Sequence, residues 1–179
     1  GAADNLLQDM LTDEALRTLL VRARRIRDFA SSELGLPDND AYRSYADIER
    51  AYVVWNVVAT PELSVSPRQW CFPIAGCVAY RGYFSEEKAR AFAAGLAAAG
   101  DDITVGGVPA YSTLGRIADP LLSTVGKYSE IDLAALIFHE LAHQVLYVPG
   151  DSAFNEAFAT AVEEEGVARY VAAYLDEAA

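Results

Sequence analysis

The residues whose types and spacing most clearly suggest chemistry lie in the segment His139–His143, which reads HELAH. His139 and His143 are the only histidines of the chain, and they stand four residues apart. Residues at positions i and i+4 of an α-helix project from the same face, one turn apart. Two imidazole nitrogens in that arrangement can bind one tetrahedral ion at about 2.0–2.1 Å. The alternative is an amphipathic helix whose two histidines are merely solvated.

Glu140 follows the first histidine directly, so its carboxylate would lean toward water held on the same ion. Glu140 could then take a proton from that water as a general base and later act as a proton shuttle. The three residues match H-E-x-x-H, the motif of zinc hydrolases. We therefore expect Zn²⁺ here and hydrolysis with Glu140 as the catalytic base.

The third metal ligand must come from another part of the chain. A metzincin would carry a glycine and a histidine where this chain has Leu146 and Pro149. Since no further histidine exists, a carboxylate remains, from either Asp151 or Glu156. We favour Glu156, because it begins a predicted helix that the turn at Pro149–Gly150 brings back against the first. Asp151 remains the alternative ligand.

Glu163 lies seven residues after Glu156, which is about two helical turns along the same face. Its carboxylate could accept the free ring N–H of a ligating histidine and so orient that ligand. It could equally be one more surface carboxylate of the acidic run VEEEG. The sequence leaves both interpretations open.

Hydrolysis also needs a hydrogen-bond donor for the oxyanion that develops on the attacked carbonyl. The catalytic candidates for this oxyanion donor are Tyr111 in GVPAYSTLG and Tyr147, four residues after His143. A tyrosine in a predicted strand more often belongs to the core. The segment GVPAYST could instead be an edge strand along which an extended substrate pairs through its backbone.

Local patterns predict the elements that must hold these residues. Ser129 and Asp132 resemble a capping box that opens the H-E-x-x-H helix. Apolar residues at helical spacing predict the other helices, and runs of β-branched and aromatic residues predict strands. The predicted helices cover roughly residues 5–10, 12–34, 85–99, 129–147 and 155–175, and the predicted strands cover 51–59, 77–84 and 103–113.

The composition restricts the partners. With 53% hydrophobic residues in 179, the chain is expected to fold around a core, and no apolar run reaches the length of a membrane span.

The formal net charge of −12 argues against nucleic acid as a partner, because its phosphates require Lys and Arg. One local exception is a basic first helix, which we expect to present a solvated face rather than a membrane contact. Its arginines are Arg17, Arg22, Arg24, Arg25 and Arg27.

The two cysteines lie close together, in the segment WCFPIAGC. The residues between Cys71 and Cys77 include Pro73 and Gly76, which allow a closed loop. A disulfide would indicate an oxidising compartment. Spacing alone leaves a disulfide and two buried thiols equally open.

Four blocks together resemble the predicted zinc aminopeptidase family of Gram-negative bacteria, whose members are gluzincin-like. The blocks are WCFPIAGCVAYRGYFSEEKA, VGGVPAYSTLG, LIFHELAHQVLYV and FNEAFATAVEEEG, and the likeness runs from about Arg25 to Arg169. H-E-x-x-H is common to zincins, whereas FPIAGCVAYRGYF and GVPAYSTLG are specific to this family. Two departures are Arg116, where an aromatic residue is usual, and the end of the chain at Ala179, where the family continues. We therefore expect one wall of the cleft to be incomplete.

The resemblance implies an α+β, zincin-like fold: a small mixed sheet, an active-site helix with H-E-x-x-H and a second helix bearing a glutamate. Residues 1–179 would form a single metallopeptidase domain, truncated at both ends. The block NEAFA is similar to the second zinc helix of gluzincins, which implies His139, His143 and Glu156 as the metal ligands. Family members often carry a lipoprotein signal, which implies the periplasm or cell envelope, lipid anchoring through a removed signal, and a disulfide between Cys71 and Cys77.

The leading hypothesis is therefore a zinc-dependent peptidase, an aminopeptidase by resemblance, that hydrolyses peptides. The alternative is a non-catalytic, zinc-stabilised module that binds peptide or protein in the cell envelope. A purely structural site would close its fourth position with another protein ligand and would have no use for Glu140. A third interpretation, a metal-free helical adaptor, requires that the chain bind no metal.

Overall fold

The computed structural model describes residues 3, 6, 13–72, 76–110 and 112–175. The described chain is α+β, as expected, with four helices and three small sheets rather than one mixed sheet. It divides into two compact units. The first comprises Gly1–Glu49, Ser112–Tyr147 and Ala153–Ala179, and the second comprises Arg50–Tyr111 and Val148–Ser152. The predicted helix over residues 5–10 lies outside the described residues apart from Leu6.

The first unit is mainly helical. Its helices are α1 (Glu14–Ser32), α3 (Glu130–Val145) and α4 (Ser152–Tyr174), of which only Ser152 belongs to the second unit. Two short strands, β1 (Tyr45–Ala46) and β7 (Leu121–Leu122), pair in parallel, and one 3₁₀ turn covers Ser123–Val125.

The core of the first unit fixes α3 in place. Apolar residues of α1 and α3 form one cluster with the aromatic ring of Tyr170 from α4. Full burial of a Leu, Ile or Phe side chain stabilises a fold by about 1.5–3 kcal/mol, so the buried stripe of α3 holds that helix firmly. The stripe consists of Leu133, Ala134, Ile137, Phe138, Leu141, Ala142 and His143.

We predicted that the arginines of α1 form a solvated face. That prediction is wrong for Arg27, whose side chain is fully buried. Its guanidinium donates to the carbonyl oxygens of Ala41 at 2.8 Å, Asn39 at 2.9 Å and Pro37 at 3.1 Å. A buried arginine is tolerated when its donors are satisfied in this way. Arg27 therefore fastens the loop after α1, rather than facing solvent.

The second unit is a small sheet covered by a helix. Its antiparallel sheet has the order β5-β2-β6, formed by Arg81–Tyr83, Val54–Pro61 and Asp101–Val108. Helix α2 (Glu86–Ala98) is capped by Ser85, whose side chain accepts from the backbone N–H of Lys88. Buried Ala89 and Ala93 of α2 pack in one cluster with Val57 of β2.

The predicted strand boundaries in this unit needed correction. The predicted strand 77–84 is split into β4 (Gly76–Val78) and β5. The predicted strand 103–113 ends at Val108, immediately before Pro109, because proline has no N–H to donate to a ladder.

The expected disulfide between Cys71 and Cys77 is present. The two cysteines are directly paired across the antiparallel strands β3 (Trp70–Phe72) and β4. Gly76 begins β4 with φ +72°, and a Cβ there would lie 2.8 Å from the backbone nitrogen of Gly150 in the same unit. The position therefore requires glycine both for its backbone conformation and for the close approach.

None of the helices in the described ranges combines the length and the apolar character that a bilayer crossing requires.

Candidate metal centre

Helix α3 carries both histidines and begins where the sequence predicts. The Ser129 side chain accepts from the backbone N–H of Asp132, and the Asp132 side chain accepts from the backbone N–H of Ser129, so the capping box is confirmed. His139 and His143 lie near the other end of the helix, and their Nε2 atoms are 3.2 Å apart. The two rings thus face one common point, one helical turn apart.

Helix α4 brings a carboxylate to that point. Glu156 Oε2 lies 3.3 Å from His139 Nε2, and Glu156 Oε1 lies 3.8 Å from His143 Nε2. Close packing of α4 on α3 allows this approach, since a Cβ on Gly166 would lie 2.8 Å from the ring of Phe138.

The three side chains have the geometry of a metal ligand set. One ligand atom from each of His139, His143 and Glu156 lies within 4.8 Å of the others. Two ligands at about 2.0–2.1 Å from a tetrahedral Zn²⁺ are about 3.3 Å apart, which is close to the observed 3.2 and 3.3 Å. The residues therefore fit a zinc ion. Asp151, the alternative ligand, belongs to the second unit and precedes α4.

Glu163 contacts the outer nitrogen of His139. Its Oε2 lies 2.9 Å from His139 Nδ1. A carboxylate at this position accepts an N–H, which places the ring proton on Nδ1 and leaves a lone pair on Nε2. The Nδ1 atom of His143 is buried without a hydrogen-bond partner among the described residues. A carboxylate therefore orients the ring of His139 but not that of His143.

The electrostatic environment keeps His143 available as a ligand. Burial is the largest influence and lowers the pKa of His143, although the charge of Glu156 opposes this effect. A neutral imidazole is the form that binds a metal. Near neutral pH, His143 therefore offers a lone pair without first losing a proton.

Glu140 lies beside this ligand set and is partly buried. Burial is the largest cause that raises the pKa of Glu140, to about 7, and the negative charge of Glu156 acts in the same direction. A carboxylate whose pKa lies near the working pH is suited to taking and returning a proton. The pKa of Glu140 therefore lies in the range where a carboxyl group can both accept and release a proton near neutral pH.

Comparison with known proteins was made against family models, curated proteins and solved structures. The family model described as "Putative aminopeptidase" matches residues 2–179. The chain belongs to this aminopeptidase family. Neither the search of curated proteins nor that of solved structures gave a match.

Of the two tyrosines predicted as oxyanion donors in this member of the aminopeptidase family, the structure describes only one. The ring centroid of Tyr147 lies 6.3 Å from that of His143, at an interplanar angle of 76°. Tyr147 is thus beside the ligand set and remains a candidate donor. Tyr111 lies outside the described residues.

Two polar residues near Glu140 were not recognised in the sequence of this family member. The Ser112 side chain lowers the pKa of Glu140 against the larger effect of burial, and the pKa of Tyr42 is raised first by burial and then by the charge of Glu140. Ser112 follows Tyr111 within the block GVPAYSTLG, so the resemblance could have indicated it. Nothing in the local sequence around Tyr42 indicates such a position.

Proposed function

We propose that this chain is a zinc-dependent peptidase, acting as an aminopeptidase as its family suggests. The observation that carries the proposal is the convergence of ligand atoms from His139, His143 and Glu156 next to Glu140. Two neutral imidazoles and one carboxylate form the ligand set of hydrolytic zinc sites that keep a fourth position open. A bound zinc ion would supply Lewis acidity, lowering the pKa of a water and polarising the scissile carbonyl.

Glu140 would move the protons of the reaction. Its carboxylate takes a proton from the attacking water as the new C–O bond forms. It then delivers that proton to the nitrogen of the leaving amine as the C–N bond breaks. The raised pKa supports both roles, since the carboxylate is basic enough to accept a proton and acidic enough to return it.

The location proposed for the protein is extracytoplasmic. The disulfide between Cys71 and Cys77 supports it, because such bonds persist mainly in oxidising compartments. Lipid anchoring through a removed signal belongs to the same proposal and follows from the family resemblance alone.

Metal analysis combined with peptide cleavage tests the proposed function. We expect protein purified without added metal to contain about one zinc per chain and to cleave members of a peptide library. A chelator should remove both zinc and activity, and added zinc should restore both. Peptides with an acetylated N-terminus should resist cleavage if the enzyme is an aminopeptidase. Zinc retained without cleavage of any peptide would contradict the proposal and favour a zinc-stabilised binding module.

Replacement of Glu163 tests the orientation of His139. We expect Glu163→Ala to weaken zinc binding about 10–100-fold, because loss of a carboxylate behind a ligating histidine costs affinity on that scale. Competition titration with a chromophoric chelator measures the effect. Glu164→Ala is the matched control, since Glu164 is exposed on the same helix. Equal zinc affinities in the two variants would refute a supporting role for Glu163.

A further inference from the structure

One residue from each of the helices α1, α3 and α4 takes part in a closed cluster of hydrogen bonds. Arg25 of α1 donates through Nε to Tyr170 Oη of α4 at 2.9 Å and through Nη2 to Glu130 Oε1 of α3. The Tyr170 hydroxyl donates to the same carboxylate oxygen at 2.5 Å. Each member of the cluster therefore contacts the other two.

The cluster is largely withdrawn from solvent and keeps its charges. Tyr170 is fully buried, and the side chain of Glu130 is 13% exposed. Burial is the largest influence on the pKa of Glu130 and raises it, but the hydrogen bonds from Tyr170 and Arg25 and the neighbouring arginine charges together hold that pKa below its ordinary value. Glu130 is therefore a carboxylate at neutral pH and can only accept hydrogen bonds.

Stability alone does not account for such a cluster. Replacement of a buried ion pair by apolar side chains of similar volume is often neutral or even stabilising. The best-attested effect of a buried polar group between packed helices is that it fixes which residues of the helices lie opposite each other. The alignment of α4 on α3 is therefore the property that this cluster can specify.

The polar contacts between α3 and α4 follow one antiparallel alignment. Glu130, at the start of α3, contacts Tyr170 near the end of α4. Nine residues further along α3, His139 contacts Glu163, which lies seven residues before Tyr170. Glu156, another seven residues back, lies 3.3 Å from the other ring nitrogen of His139. Because seven residues make about two helical turns, the cluster and the two glutamates share one face of α4.

The remaining buried residues of α4 do little to resist sliding along α3. Throughout α4, which the structure describes in full, the buried positions are Asn155, Ala159, Gly166 and Tyr170. Gly166 allows the close approach to Phe138, but small side chains form only low ridges that interlock weakly with a neighbouring helix. Tyr170 is the one large ring among these four residues, and its hydroxyl is the group that the cluster holds.

We propose that Arg25, Glu130 and Tyr170 are positioning residues that fix the alignment of α4 on α3 and thereby hold Glu156 and Glu163 against His139. This inference rests on the proposed function, because the alignment matters only if these side chains serve a metal ion. Zinc ligation tolerates deviations of only about 0.2 Å from a distance of about 2.0–2.2 Å, so a small shift of α4 is enough to weaken it. The three residues act through the helices and not by contact with metal or substrate.

An apolar replacement of the cluster separates alignment from stability. The variant Arg25→Met/Glu130→Leu/Tyr170→Phe loses the polar contacts and nearly keeps the packing volume. We expect its zinc affinity to fall about 10–100-fold, the scale on which loss of groups that support metal ligands acts. Competition titration with a chromophoric chelator measures this affinity on the folded variant. Thermal unfolding in chelator should show it at least as stable as its parent, whereas a merely structural cluster would give lower stability with unchanged zinc affinity.

The control removes a comparable ion pair from the second unit. Arg68 donates to the two carboxylate oxygens of buried Asp101 at 2.6 and 2.8 Å. The variant Arg68→Met/Asp101→Leu should keep the zinc affinity of the parent, because this pair lies on neither α3 nor α4. A control that loses as much zinc affinity as the cluster variant would overturn the inference, since loss of any ion pair would then have the same effect.

The single variant Tyr170→Phe decides the matter if the triple variant fails to fold. It removes one hydroxyl, leaves the pair of Arg25 and Glu130 in place and frees only α4 from the cluster. We expect it to weaken zinc binding by a smaller factor than the triple variant does. A folded Tyr170→Phe chain with the zinc affinity of its parent would contradict the proposed role of the hydroxyl and overturn the inference.

Crystal structures without zinc give a readout that depends on neither metal binding nor activity. In the chelator-treated parent, Glu163 Oε2 should lie within about 3.2 Å of His139 Nδ1. The triple variant should show α4 shifted along its axis and this contact broken. An unshifted α4, or an unchanged zinc affinity in the folded variant, would overturn the inference and leave the proposed function intact. A parent that binds no zinc would overturn the proposed function, and the zinc-free structures would still decide whether the cluster sets the alignment.

Discussion

Glu140→Gln is expected to keep zinc and the fold while losing about 10²–10⁴-fold or more of the rate of peptide hydrolysis. Glutamine has nearly the same size and can still hydrogen-bond a water molecule, but it cannot take a proton from it. The leaving amine then lacks its proton donor as well, so both halves of the reaction suffer. Steady-state kinetics on a cleavable peptide at equal zinc occupancy measures the loss.

The control for this variant must separate charge from chemistry. Glu164→Gln removes one negative charge from an exposed position on α4 and should leave kcat unchanged. Thermal unfolding of both variants checks that the fold is retained. A Glu140→Gln enzyme as fast as its parent would show that Glu140 is not the base and would overturn the mechanism.

His143→Ala is expected to abolish stable zinc binding and, with it, the stabilisation that zinc gives to the fold. A ligand at 100 times its Kd stabilises the native state by about 2.7 kcal/mol, and metal binding couples to folding in the same way. The parent should therefore unfold at a higher temperature with zinc than with a chelator, whereas the variant should show no such difference.

The chelator arm separates the two consequences of this substitution. His143 is 8% exposed, so its removal also leaves a gap in the packing of α3. That packing cost remains when chelator is present, and only the zinc-dependent part should vanish. A variant that binds zinc as tightly as its parent, by metal analysis after dialysis, would exclude His143 as a ligand.

Local signals in the sequence predicted much of what positions the site. The capping box of Ser129 and Asp132 is set by residues three apart, so it could be read without tertiary structure. The spacing of His139, His143 and Glu140 is likewise a property of one helix. The helix that carries Glu156 was predicted to begin at about Asn155, and in the structure it begins at Ser152.

What the sequence did not predict depends on contacts between distant segments. Arg27 looked solvated because its acceptors are carbonyl oxygens of a loop, which no residue type identifies. Two separate loops meet at the buried Asp119, whose carbonyl oxygen accepts from the Tyr42 N–H and whose carboxylate accepts from the Thr113 N–H. Helical or strand periodicity cannot indicate such a meeting, since it describes only the faces of single elements.

Anomalous diffraction at the zinc absorption edge tests the three proposed metal ligands most directly. Crystals of the chain purified with its native metal should show one strong anomalous peak per chain. We predict that His139 Nε2, His143 Nε2 and a carboxylate oxygen of Glu156 lie about 2.0–2.2 Å from that peak. A peak bound elsewhere, or a zinc-loaded structure in which these three side chains point apart, would contradict it.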